Sequence, residues 1–326
     1  MRTCLLATAL LTAGCASAEP AAPAFHLVSG AVPLDKGPDG NSIILDAPDG
    51  LIVVDTGRHP EHSAKILAYA RERGRPIAAI VNTHWHLDHT TGNWDIRQAY
   101  PQVQVLASDA LEGALATYLK KSRDQTEAML ADPKTNAMQR DQIVRARAVT
   151  DEPDRIRPDR VVGQSGTMTV AGRKIEVRLA KFAASESDVW LYVPEAKLAI
   201  VGDLVVDIVP FMDTACADGW LRALDQIEQT SFATLIPGHG PAMDRAAFTA
   251  WRTAFTDFVA CGRSQAPKED CVAAWERGAA RFIDDAHRNY VREAANYYLT
   301  TRLRSSDEEQ QLYCKPLQPR GLTGAQ

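Results

Sequence analysis

The chain has 326 residues, of which 45% are apolar and 24% charged, and its net charge is −5 at pH 7. That length supports one large core, or a core domain with an appendage, in an ordinary globular composition. No basic block interrupts the acidic balance, which excludes a nucleic-acid binder and tight docking on anionic membranes and leaves a small-molecule substrate as the expected partner.

The first residues, "MRTCLLATALLTAGCASA", combine Arg2, an apolar stretch and small residues ending at Ala18, the pattern of a secretory signal over residues 1–18. This stretch is too short to span a membrane as a helix. "LTAGC" supports a second reading, a lipid-attachment box with Cys15 acylated. The expected product is thus secreted or periplasmic, with a lipoprotein anchored through Cys15 as the alternative.

Over residues 25–57 the runs "FHLVSGAV", "NSIILDA" and "GLIVVDTG" are cut by turn residues and predict successive hairpin strands. Residues 60–73 carry helical spacing through Ala64, Ile66, Leu67 and Ala70, and "PIAAIVNTH" predicts a strand ending at His84. Alternation of strand, helix and strand sets the class as α/β. Residues 109–149 predict two helices with a turn at Asp132-Pro133, inserted over a site as a candidate lid. "TMTVAGRKIEVRLA" and "DVWLYVPEAKLAIVGD" each predict strand, turn and strand. A helix over residues 218–229 precedes "FATLIPGHG", and the chain from Arg245 onward is helical in pattern. Past the signal, four cysteines suit an oxidising compartment. Pairing Cys261 with Cys271 closes "CGRSQAPKEDC" and leaves Cys216 with Cys314 as a tether for the C-terminus.

The densest chemistry lies in "VNTHWHLDHTTGN", where His84, His86, Asp88 and His89 fall within six positions. Histidines two apart on an extended segment point to one side and can share a metal, and Asp88 and His89 in the following turn can face a second position. Imidazole and carboxylate are ligand types that zinc prefers. Trp85, between two inward donors, is expected on the packed side of the strand, and Trp190, Tyr192 and Trp220 in the core. Phe211 and Met212, in the loop "DIVPFMD", are candidates for a site wall.

"THWHLDH" resembles the HxHxDH motif of the metallo-β-lactamase superfamily, and three further segments follow in that family's order. "VVDTG" resembles its early strand-end aspartate, so Asp55 is implied to support the site without binding metal. "AIVGDLV" places Asp203 where that family has a metal-bridging aspartate, and "IPGHG" places His239 at its last histidine ligand. The resemblance implies an αββα sandwich, two mixed β-sheets packed face to face with helices on both outer faces. It covers residues 25–243 as a domain, with the helical insertion at about 109–149 and a C-terminal helical extension over residues 244–326 outside its pattern.

One position departs from the pattern. The family carries a further histidine in a segment resembling AHTxGD, and here the matching segment is "AASESD", with Ala184 in its place. One metal position keeps Asp88, His89, Asp203 and His239 and is the more complete. The other keeps His84, His86 and a shared Asp203, with water or Glu186 to fill the gap.

The resemblance implies one or two Zn2+ ions and metal-dependent hydrolysis. A zinc-held water is deprotonated near neutral pH, and the hydroxide attacks an ester, amide, lactone or β-lactam type bond while Asp88 orients it and relays its proton. Two alternatives stand beside this. The loss at Ala184 can mark a degenerate metal-binding or partner-binding module without hydrolase activity. Iron-dependent oxidoreductases share the fold, although those with two irons carry a glutamate where this chain has His86.

Overall fold

The computed structural model describes residues 24–34 and 36–316, so the signal pattern and Cys15 lie outside the described residues. The chain first builds strands β1 (His26–Val28), β2 (Ser42–Ala47) and β3 (Gly50–Val54), then helix α1 (Pro60–Glu72) and β4 (Ile77–Val81). Short helices α2 (Leu87–Thr90) and α3 (Asn93–Ala99) precede β5 (Gln104–Ala107). Helices α4 (Ala110–Ala116), α5 (Tyr118–Ala131) and α6 (Ala137–Asp151) separate β5 from β6 (Arg160–Val161). These six strands form one sheet in the order β1-β2-β3-β4-β5-β6, antiparallel as far as β3 and parallel beyond it.

The second sheet follows with β7 (Gly166–Val170), β8 (Arg173–Lys181), β9 (Ser187–Val193) and β10 (Leu198–Val206), then α7 (Ala217–Glu228) and β11 (Thr234–His239). Its order is β11-β10-β9-β8-β7, with only β10 and β11 parallel. Helices α8 (Arg245–Gly262), α9 (Lys268–Gly278), α10 (Arg288–Tyr298) and α11 (Asp307–Gln310) close the described chain.

Period-two alternation decides the layering. Ile43, Leu45, Ile52 and Val54 of the first sheet meet Val189, Leu191, Leu198 and Ile200 of the second in one buried cluster between the sheets. Their neighbours Ile44, Leu51 and Val53 face outward onto Ile66 and Ala70 of α1 and Ile96 of α3. On the far side, Trp190, Ala199 and Val201 face outward onto Trp220 of α7, Trp251 and Phe255 of α8, Trp275 of α9 and Val291 of α10. The architecture is the αββα sandwich with two mixed sheets, and the C-terminal helices share the core of its second outer face. Trp190 and Trp220 are fully buried and Tyr192 nearly so, as expected of core residues.

Three local expectations need correction. β4 ends at Val81, not at His84, because the Thr83 N–H donates to the Asp55 carboxylate at 2.7 Å instead of to a neighbouring strand. Asp88 and His89 sit on the single-turn helix α2 rather than in an open turn. The insertion holds three helices, since Thr117, at φ −127° and ψ −88°, breaks the run that composition reads as continuous. Both expected disulfides are present, Cys216–Cys314 and Cys261–Cys271.

Candidate metal centre

Strand ends of both sheets converge on the histidine-rich segment. Asp55 follows β3 in the left-handed region at φ 58°, and its carboxylate accepts from Thr83 N and Thr83 Oγ1, each at 2.7 Å. The same carboxylate lies 2.8 Å from His89 Nδ1. Asp203 lies within β10, directly after Gly202, a left-handed residue at φ 52° where the β10–β11 register shifts. His239 closes β11. Gly238, just before it, leaves room for Asp203, since a Cβ there would stand 2.0 Å from Asp203 Oδ1.

These elements bring all six expected donors together in two groups, His84 with His86 and Asp203, and Asp88 with His89 and His239, the donor atoms of each group lying within 4.8 Å of one another. Asp203 faces both groups: Oδ2 is 3.6 Å from His84 Nε2, while Oδ1 is 3.1 Å from His89 Nε2 and 3.6 Å from His239 Nε2. Asp88 Oδ2 approaches His239 Nε2 at 3.2 Å and His89 Nε2 at 3.6 Å. Ala184 is buried and Glu186 joins neither group.

Outer hydrogen bonds set which ring nitrogen His84, His86 and His89 turn inward. A carboxylate only accepts, so His89 gives its Nδ1–H to Asp55 and turns Nε2 inward, the atom that a metal can take once its proton is displaced. Thr83 Oγ1 spends its proton on Asp55 and thus accepts from His84 Nδ1 at 3.0 Å, which leaves His84 Nε2 as the donor atom. Thr214 Oγ1 donates to the Ala184 carbonyl at 3.0 Å and accepts from His86 Nε2 at 2.9 Å, so the lone pair of His86 is on Nδ1.

A metal fits this donor set. His84 Nε2, His89 Nε2 and Asp203 Oδ1 are buried without a hydrogen-bond partner, which is costly unless something else coordinates them. The electrostatics agree. Burial opposes ionisation of Asp88 and Asp203, yet the neighbouring imidazoles, His89 foremost, hold both carboxyls below the usual range. Burial pulls the His86 imidazole down to about 4 and the His84 imidazole well below its ordinary value, so both present lone pairs at neutral pH. Burial also works against a charged His89, but Asp203, Asp55 and Asp88 outweigh it and hold its imidazole well above the ordinary value. His89 thus keeps a second proton among these carboxylates, and a metal bound there would take that proton's place.

A cavity of about 670 Å3 opens over these groups. Phe211 lines it and meets the His86 ring edge-on at a centroid distance of 5.3 Å, whereas Met212 packs into the core away from it. Trp85 does both: it packs among Leu111, Leu119 and Val149 of the insertion and contributes to the cavity wall. Sequence reasoning missed Thr83, Thr214 and Arg58. Arg58 follows "VVDTG" directly, and its guanidinium lies 3.7 Å from Asp88 Oδ1.

Fold and donor groups together define an αββα metalloprotein with its site where strand ends of both sheets meet. The chain belongs to the family described as the metallo-beta-lactamase superfamily, whose profile matches residues 36–239. A linear primary-alkylsulfatase from Pseudomonas sp. (strain ATCC 19151) is 26% identical over 216 residues, 60% of this chain and 40% of that protein. The chain therefore spans about two-fifths of the length of this curated relative. A metallo-beta-lactamase family protein from Thermus thermophilus superposes with a TM-score of 0.55 at 16% identity, covering 83% of this chain and 93% of that one. The stereoselective inverting sec-alkylsulfatase Pisa1 from Pseudomonas sp. gives 0.52 at 18% identity, covering 79% and 47%.

Proposed function

We propose that the protein is a zinc-dependent hydrolase of a small-molecule substrate, acting on an ester, amide, lactone, β-lactam or sulfate ester bond. The observation that carries this reading is the pair of donor groups sharing Asp203, with inward nitrogens left unpaired at the foot of an open cavity. His84, His86 and Asp203 would hold one ion, and Asp88, His89, Asp203 and His239 the other. Zinc, when bound, supplies an activated water and a Lewis acid. Asp88 sits among His89, His239 and Arg58, placed to orient the attacking oxygen and to take its proton. Arg58, which lines the cavity, can hold the developing negative charge of the substrate. Sulfate esters enter this list through the alkylsulfatase relative. The four paired cysteines support a site of action outside the cytoplasm. No described helix is long and apolar enough to cross a membrane.

The test is metal content by elemental analysis together with hydrolysis of a panel of carboxylic esters, lactones, β-lactams and alkyl sulfates. Activity on one class should vanish on exhaustive chelation, return with Zn2+ and be lost in Asp88→Ala, which removes a donor from one group and leaves His84, His86 and Asp203 intact. Full activity in metal-free protein would refute the proposal.

A further inference from the structure

The cavity over the metal centre has two unlike linings. Charged and imidazole groups, Arg58, His86, Asp88, Asp203, Asp207 and His239, belong to the centre and its strand ends. From α5 and α6 come Leu119, Met129, Ile143 and Ala146, interspersed with the polar Ser122, Thr126, Gln139 and Gln142. Among the described residues, Lys36 and Arg58 are the only Lys or Arg in the lining, and Arg58 stands beside Asp88. The volume falls in the range of small-molecule sites, roughly 300–1,000 Å3.

The apolar lining also reaches solvent. Leu34, Met129 and Tyr290 line the cavity while 63%, 44% and 44% exposed, three of the seven large apolar side chains left in water among the described residues. Large apolar groups clustered in water mark a surface that meets an apolar ligand. A short polar substrate would touch only the metal end and leave the α5–α6 wall wetted. A ligand with a polar head and one straight apolar chain matches both linings at once.

We infer that the substrate is an ester carrying a single extended apolar chain, its scissile group at the metal centre beside Arg58 and its chain along α5 and α6. The inference rests on the hydrolase reading above and narrows it. One water is consumed in the reaction. Its oxygen bonds to the electrophilic atom of the ester and the bond to the alcohol oxygen breaks. One proton ends on the released alcohol, and the other leaves with the acid.

Binding tests the inference without turnover. The zinc-loaded protein is titrated calorimetrically with butane-, hexane-, octane- and decanesulfonate, single-chain anions that have no ester to cleave. Affinity should rise about fourfold per added methylene while the chain still finds apolar wall. Met129→Glu, at an exposed position that keeps the fold, should flatten the upper end of the series and leave butanesulfonate unchanged. Arg58→Gln should weaken every member by the same factor. Equal affinity along the wild-type series, or an unaltered series in Met129→Glu, overturns the inference. A flat series in a protein that hydrolyses short esters removes the chain alone. A steep series in a protein that hydrolyses nothing on the panel removes the hydrolase reading and leaves the chain site standing.

Discussion

Replacing Thr214 by valine should weaken one metal position and spare the other. Thr214 is 1% exposed, and its hydroxyl joins the Ala184 carbonyl, 3.0 Å away, to His86 Nε2, 2.9 Å away. Valine keeps the shape and removes both bonds, so a buried carbonyl and a buried ring N–H lose their partners at a cost of about 1–3 kcal/mol. The ring then has no reason to keep its proton on Nε2, and rotation or the other tautomer takes the Nδ1 lone pair away from the centre. Loss of such an outer partner typically costs about 10–100-fold in metal affinity, or roughly 1.4–2.8 kcal/mol. Asp88, His89 and His239 have no bond to Thr214, so their position should hold its ion. Competition of the metal-free protein with a chromophoric chelator should show two binding steps in wild type and in Thr214→Ser. In Thr214→Val the weaker step should shift by one to two decades while the tighter step stays in place. Two unshifted steps in the valine variant would refute the reasoning, and an equal shift in the serine variant would reduce Thr214 to a packing role.

Other perturbations probe separate links. Gly238→Ala should impair both positions together, because its methyl would collide with Asp203 Oδ1, the oxygen facing His89 and His239; unchanged zinc stoichiometry would count against a shared Asp203. Removing Cys216–Cys314, which closes 98 residues, should cost about 5 kcal/mol in urea unfolding on a loop-entropy basis, whereas Cys261–Cys271, which closes 10, should cost about 3; the reverse order would defeat that account. Burial pushes the Asp188 carboxyl up to about 7 despite its bonds to Ser185, so in metal-free protein the folded state keeps a proton that the unfolded state has already lost. Stability should therefore fall as pH rises from about 4 to 7, by up to about 4 kcal/mol relative to Asp188→Asn, and parallel unfolding profiles of the two proteins would remove the assignment.

What was legible in the sequence follows from how local each signal is. Ile43, Leu45, Ile52 and Val54 alternate with Ile44, Leu51 and Val53, so the first hairpin could be read from a period of two. The donors were legible because four of them crowd one short segment and the other two sit in short motifs with glycine beside them. The end of β4 was not, because "VNTH" stays compatible with a strand and what stops it is the carboxylate of Asp55, 28 positions away. The break at Thr117 was hidden inside a run of helix formers on both sides. Thr214 could not be found at all: its partner His86 is 128 positions distant, and a lone threonine in a loop carries no periodicity.

The departure at Ala184 reads differently once that threonine is seen. Where the family resemblance expects an imidazole, this chain offers a main-chain carbonyl, and the carbonyl acts on the centre through Thr214 and His86. Such a relay works only if its loop is already ordered, since a hydrogen bond contributes about 1 kcal/mol net, about what fixing one backbone residue costs. The C-terminal helices supply that order. Arg302 grips Asp213 at 2.8 Å, Tyr297 donates to the same carboxylate at 3.2 Å, and Cys216 is bonded to Cys314 two residues beyond Thr214. Cys216 N also donates to the Ala183 carbonyl at 2.9 Å, which seats the loop against the segment that carries Ala184. The helical extension is therefore mechanically part of the centre: it fixes the hydroxyl that fixes His86. Loss of the Cys216–Cys314 bond should accordingly weaken the same metal step as Thr214→Val, and loss of Cys261–Cys271 should not.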